Sequence, residues 1–232
     1  MRRWREVAPG VRRLPLRALD VVNVYLLGDV LVDAGGRTAA NMLLRALAAP
    51  GVRPPVAHAV THAHFDHQGA SHAVCEQLGI PLWCGAGDRE ALETGDLARV
   101  LPRPHSWTAR LERWLAGPAH PVSRVLREGD ELAAGFTVLE TPGHTPGSIA
   151  FWRAADRVLV LGDLAMSRHP LTLRRGLREP IGMGTLDRAA NRAALRRLAA
   201  LEPAIVCFGH GAPLLDPARF QAFVDALNLR RA

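Results

Sequence analysis

Residues 61–70 read THAHFDHQGA, which places His62, His64, Asp66 and His67 within six positions. The run follows a short apolar stretch, 55–60, that reads as a strand. It precedes a stretch, 68–78, that reads as a helix ending at Gly79. A loop at the C-terminal end of a strand is where α/β folds place ligand sites. In extended backbone, side chains two apart point the same way, so His62 and His64 can grip one metal ion. Asp66 and His67 lie beyond the bend and face a second position.

Four ligands do not close two sites, so others are expected at the ends of later strands. His144 lies in TPGHTPGS after a predicted strand at 136–141, Asp163 in VLVLGD after 157–162, and His210 in IVCFGHG after 204–208. Each is the first polar donor after an apolar run, and Gly143, Gly162, Gly209 and Gly211 flank them. Small neighbours let backbone crowd a metal centre. A lone histidine is more often structural than a ligand. Here five of the ten histidines and two aspartates all fall in strand-end loops. Imidazole and carboxylate donors suit zinc, with iron and manganese as alternatives.

The rest of the chain alternates apolar runs with turn signals. Strands are expected at 21–27 and 30–33 around a Gly28-Asp29 hairpin turn, then at 80–84, 124–127 and 148–153. Helices are expected at 37–49, 106–116, 186–200 and 216–228. Hairpins mixed with β-α units indicate an α/β fold with mixed sheets. No linker or internal repeat interrupts the 232 residues, so one domain over 1–232 is expected.

Composition removes several chemistries. All 29 Lys+Arg positions are arginine. Without lysine there is no Schiff-base enzyme, no Walker A loop and no kinase of the usual design. The formal charge is +7, but the arginines are scattered and aromatics are only 5%, so nucleic acid is not the expected partner. No apolar run is long enough to span a membrane and no signal peptide is recognised. Cys75, Cys84 and Cys207 form no C-x-x-C pair and suit a cytoplasmic protein with buried thiols.

The H-x-H-x-D-H run, followed in order by His144, Asp163 and His210, resembles the metallo-β-lactamase superfamily over about residues 20–215. Asp33 in LVDAGG is similar to that family's early aspartate. The resemblance implies an αβ/βα four-layer sandwich with two mixed β-sheets and two Zn2+ ions at one edge. It implies His62, His64 and His144 on the first ion, Asp66, His67 and His210 on the second, and Asp163 bridging them. Two such ions can lower the pKa of a shared water toward ~7. The bridging hydroxide would then attack an ester, thioester or lactone, with Asp66 relaying a proton. The bridging aspartate is similar to the glyoxalase II and lactonase type rather than to true β-lactamases. An iron-dependent oxidoreductase similar to persulfide dioxygenases is the main alternative. A β-lactamase and a nucleic-acid phosphodiesterase rank below it.

Two segments are expected to shape the pocket. In 100–120, Trp107 and Trp114 lie on one side of the expected helix. Packing onto their own domain is the plainest reading, with a substrate lid or a homodimer contact beside it. In 165–184, Arg168 and His169 are candidate substrate contacts, and Arg174, Arg175 and Arg178 suit a clamp on a small anionic substrate. His58, His72, His105, His120 and His169 are not read as metal ligands. Tyr25, the only tyrosine, stands far from Asp163 in sequence.

Overall fold

The computed structural model describes residues 3–16 and 18–229. Its first sheet runs in chain order. Strands β1 (Arg5–Ala8), β2 (Val11–Pro15), β3 (Asn23–Leu27) and β4 (Val30–Val32) pair antiparallel. The tight β3–β4 turn uses Gly28 at φ 62°. Helix α1 (Ala40–Leu47) then leads to β5 (Ala57–Val60), which pairs parallel with β4. After α2 (Phe65–Gln68) and α3 (Ser71–Leu78), strand β6 (Leu82–Gly85) continues the parallel half. Helices α4 (Arg89–Thr94) and α5 (Trp107–Leu115) precede β7 (Val122–Leu126), which closes this sheet.

The second sheet starts with β8 (Thr137–Glu140), β9 (Ile149–Arg153) and β10 (Val158–Val160), joined antiparallel. A small hairpin of β11 (Met166–Arg168) and β12 (Arg175–Arg178) follows. Helix α6 (Arg188–Ala199) crosses to β13 (Ile205–Cys207), which pairs parallel with β10, and α7 (Pro217–Leu229) comes last.

Strand alternation sorts the layers. Tyr25, Leu27, Val30 and Val32 point between the sheets and meet Phe136, Val138, Phe151 and Val160 of the second sheet. Val24, Leu26 and Leu31 point the other way, onto Leu43 and Leu47 of α1 and Val74 of α3. On the far side, Leu159 and Val206 pack on Leu195 and Leu198 of α6 and Phe220 and Val224 of α7. The order is helix, sheet, sheet, helix, the four-layer sandwich of the sequence expectation. Each fully buried leucine in it contributes roughly 1.5–3 kcal/mol.

The strand and helix expectations hold to within a few residues, with four differences. The helix expected at 68–78 begins later, as α3 at Ser71, and the separate short α2 at Phe65–Gln68 precedes it; Gly69 and Ala70 turn the chain between them, where a Cβ at Gly69 would collide with Gly36, Arg37 and Phe65. The β1–β2 hairpin was not anticipated: its arginines disguise a sheet edge in which Arg13 is buried and donates to the carbonyl of Gly211. The β11–β12 hairpin and α4 likewise have no counterpart in the sequence pattern. Among the described residues, no helix is long and apolar enough to cross a membrane. All three thiols are buried, and burial pushes each up to about 12, so none is a ready nucleophile.

Candidate metal centre

The donor residues sit where strands end. Asp33 follows β4, the His62–His67 run follows β5, and Asp88 follows β6 in the first sheet. His144 follows β8, Asp163 follows β10 and His210 follows β13 in the second. The two sheets face each other, so these loops converge. Three sets of donor atoms lie within 4.8 Å of one another: His62, His64 and His144; His62, His67 and Asp163; Asp66, His67 and His210. Asp163 stands between the sets, with one carboxylate oxygen 3.4 Å from His67 Nε2 and the other 2.9 Å from His210 Nε2. Asp66 lies 3.4 Å from His210 Nε2. All seven sequence-derived candidates are brought together.

Outer partners aim the rings. His67 Nδ1 is 2.8 Å from Asp33, His144 Nδ1 is 3.1 Å from the Thr185 hydroxyl, and His62 Nδ1 is 3.1 Å from that of Thr61. The fourth ring, His210, contacts the Val21 carbonyl through Nδ1. Such contacts set ring orientation and tautomer and leave Nε2 for a metal. The Nε2 atoms of His62, His64, His67 and His144 and one oxygen of Asp163 are buried without a hydrogen-bond partner. Buried polar atoms left without a hydrogen bond are costly, and five gathered at one centre fit a cation. Gly209 leaves the room: a Cβ there would collide with the Asp163 carboxylate and the His67 ring.

Charge divides the centre. Burial and neighbouring imidazoles hold His62 and His144 well below the ordinary histidine range. Burial takes His64 down to about 4, against the pull of Asp66. These three present neutral lone pairs. Burial opposes charge on His67 and His210 too, but Asp163 and Asp33 carry His67 well up, and Asp163 and Asp66 raise His210 to about 9. That side attracts positive charge.

Several residues around the centre were not picked out in the sequence. Asp88 is fully buried and accepts from the Ala63 amide, the Thr145 hydroxyl and the Gly147 amide, each at 2.7 Å. It ties the His62–His64 loop to the His144 loop. The signal was available: Asp88 is the polar residue closing a Gly-Ala-Gly stretch after an apolar strand, as His144 is in its own loop. Glu112 of α5 accepts from the Phe65 amide, and burial together with the Asp66 carboxylate pushes it up to about 8. Nothing local in the sequence marks it.

The expected substrate contacts are placed differently. Arg168 is buried and donates to the Leu173 carbonyl at 2.7 Å, and His169 accepts from the amides of Leu171 and Thr172. Both are occupied in building the β11–β12 hairpin. Trp107 and Trp114 are 67% and 65% exposed rather than packed onto the domain, and Arg37 stacks over Trp114. Tyr25 is buried and donates to the Phe208 carbonyl at 2.7 Å, supporting the His210 loop from behind. The segment before α6 covers His144: Leu186 donates to its carbonyl at 3.0 Å, and Gly184 faces the His64 ring.

A model of the metallo-β-lactamase superfamily matches residues 17–210. The chain belongs to that superfamily. Among relatives, it is 28% identical to the probable metallo-hydrolase YflN of Bacillus subtilis, over 90% of this chain and 86% of the other. It is 34% identical to the acyl-coenzyme A thioesterase MBLAC2 of Gallus gallus, over 59% of this chain and 53% of that one. Among metallo-β-lactamase-fold structures, that of TTHA1623 in a di-iron-bound form matches with TM-score 0.67 and 33% identity, covering 88% and 93% of the two chains.

Proposed function

We propose that this chain is a metal-dependent hydrolase of an ester, thioester or lactone bond, using two zinc ions. The observation that carries this reading is Asp163 set between His67 and His210, beside a separate trio of neutral imidazoles. His62, His64 and His144 would hold one ion, Asp66, His67 and His210 the other, and Asp163 would serve both. The bound ions would supply a hydroxide nucleophile near neutral pH and polarise the scissile carbonyl.

The chain's own part is placement and proton handling. Asp33, Thr61 and Thr185 fix three of the rings through Nδ1. Asp66 is 21% exposed, the most open of the carboxylates at the centre, and can pass a proton to a departing thiolate or alkoxide. Arg174 and Arg175, exposed on the hairpin, supply positive charge for an anionic substrate. The partial likeness to a thioesterase favours thioesters within this class.

The test is a metal and substrate screen. Purified protein is analysed for metal and assayed against acyl thioesters, aryl esters and lactones. About two ions per chain, with turnover removed by a chelator and restored by zinc, is the expected result. Failure to turn over any of these substrates in zinc, iron and manganese forms overturns the reading. The likeness to a di-iron-bound structure favours a second reading, an iron-dependent oxidoreductase. Oxygen uptake by the iron form would establish it, since hydrolysis consumes none.

A further inference from the structure

One other cluster of ligand-type side chains occurs among the described residues, away from the centre. His72 and Glu76 lie one turn apart on α3, and His120 lies in the segment leading into β7. Residues four apart share a helix face, so His72 and Glu76 are presented together. His120 faces them. Its Nδ1 is 3.3 Å from His72 Nδ1 and 3.7 Å from a Glu76 carboxylate oxygen. The Ala119 carbonyl oxygen is 3.0 Å from His72 Nδ1.

These spacings are those of a ligand set. Donors ~2.0–2.1 Å from a tetrahedral zinc stand about 3.4 Å from each other. The two measured edges through His120 Nδ1 are close to that without any rearrangement. The third side is closed by Glu76, which is 61% exposed and free to swing, whereas His120 is only 13% exposed and fixed. His72 Nδ1 faces the Ala119 carbonyl and His120 Nδ1 together, so a divalent cation there would be met by all three and would pair with the Glu76 charge.

We infer that His72, Glu76 and His120, with the Ala119 carbonyl, form a second, structural site for zinc or a similar divalent cation. The site is separate from the Asp163 centre and shares no ligand with it. Its position gives it a role. The segment before His120 presses on the turn behind α2: a Cβ at Gly117 would collide with the Gly69 carbonyl. The His120 amide donates to the Leu92 carbonyl at 3.1 Å. An ion here would clamp α3 to this segment, just behind the helix that carries Asp66 and His67.

The proposal is tested by metal counting, independently of any hydrolase activity. Wild type, His120→Ala and Glu76→Gln are equilibrated with buffered free zinc and analysed for zinc per chain, with circular dichroism as a control for folding. Wild type should bind one ion more than His120→Ala, and the variant should retain the ions of the Asp163 centre. Glu76→Gln changes only an exposed side chain and should weaken binding of the extra ion by about tenfold or more. Added zinc should raise the melting temperature of wild type more than that of either variant. Equal zinc content and equal zinc-induced melting shifts in all three proteins would overturn the proposal.

Discussion

The five imidazoles of the centre are at most 5% exposed, and four of them are held by a named outer partner, whereas Trp107 and Trp114 on α5 are 67% and 65% exposed. Between these extremes lies the β11–β12 hairpin, whose Arg168 and His169 are spent on its own backbone. The ligand-bearing floor is fixed by buried hydrogen bonds from both sheets. The rim is a helix, whose only buried residue is Ala109, and an arginine-rich hairpin. On the proposed function, chemistry would belong to the part with no freedom, and choice of substrate to the part that has it.

Four substitutions would break or sharpen that contrast. The largest effect is expected at the carboxylate set between His67 and His210. Asp163→Ala should lower metal content and cut turnover by about a thousandfold, since metal charge stabilisation is worth several kcal/mol. Full activity with unchanged metal content would remove Asp163 from the centre.

The next effect concerns acid stability beneath the floor. His58 is fully buried in β5, with Nδ1 toward the Leu31 carbonyl and Nε2 2.8 Å from the Ser71 hydroxyl. Burial, helped by His120, holds it down at about 4, against the Leu31 carbonyl and Asp33. The folded chain keeps it neutral, while the unfolded chain takes up a proton near 6.5. Its contribution is intact above that value and is lost as pH falls toward 4, by about 3 kcal/mol. Denaturant titrations in chelator should show this slope in wild type and a flatter one in His58→Asn. Identical slopes would contradict it.

A smaller change is expected at the outer carboxylate. Asp33→Asn keeps the shape beside His67 but removes the charge, and should weaken metal binding by about 10–100-fold with the fold retained. Competition with a chromophoric chelator measures this, and an unchanged affinity would mean that His67 is oriented by other contacts. The smallest stability effect belongs to the rim. Trp114→Ala loses the stacking of Arg37, worth about 0.5–1 kcal/mol at an exposed site. It should leave melting nearly unchanged while shifting KM among substrates of different acyl length. A large fall in melting temperature would place Trp114 in the structural core instead.

The same contrast explains what the sequence made legible. His62 and His64 are readable because strand geometry puts alternate residues on one side. His144, Asp163 and His210 are readable because each stops an apolar run. Those are local rules, and the centre obeys them. The break between α2 and α3 is not local: it follows from Gly69 meeting residues 36, 37 and 117. The β2 strand was hidden because Arg13 reads as a surface residue, yet it is paired with Asp20 and a distant carbonyl. Glu112 gave no sign because its partner, the Phe65 amide, is 47 residues away. Arg168 and Arg178 look like substrate contacts in sequence, where nothing shows that they donate to the Leu173, Gly176 and Arg175 carbonyls of their own hairpin.

The buried ties behind His210 have a kinetic meaning. Tyr25 reaches the Phe208 carbonyl across 183 residues of chain, and the side-chain amide of Asn23 reaches the Gly211 carbonyl across 188. Contacts this distant in sequence are slow to find, because the entropy of closing the loop is lost before they reward it. The last ligand is thus set in place by some of the earliest strands. Metal loading should then trail docking of the two sheets, and the rate of metal uptake during refolding would report on that docking.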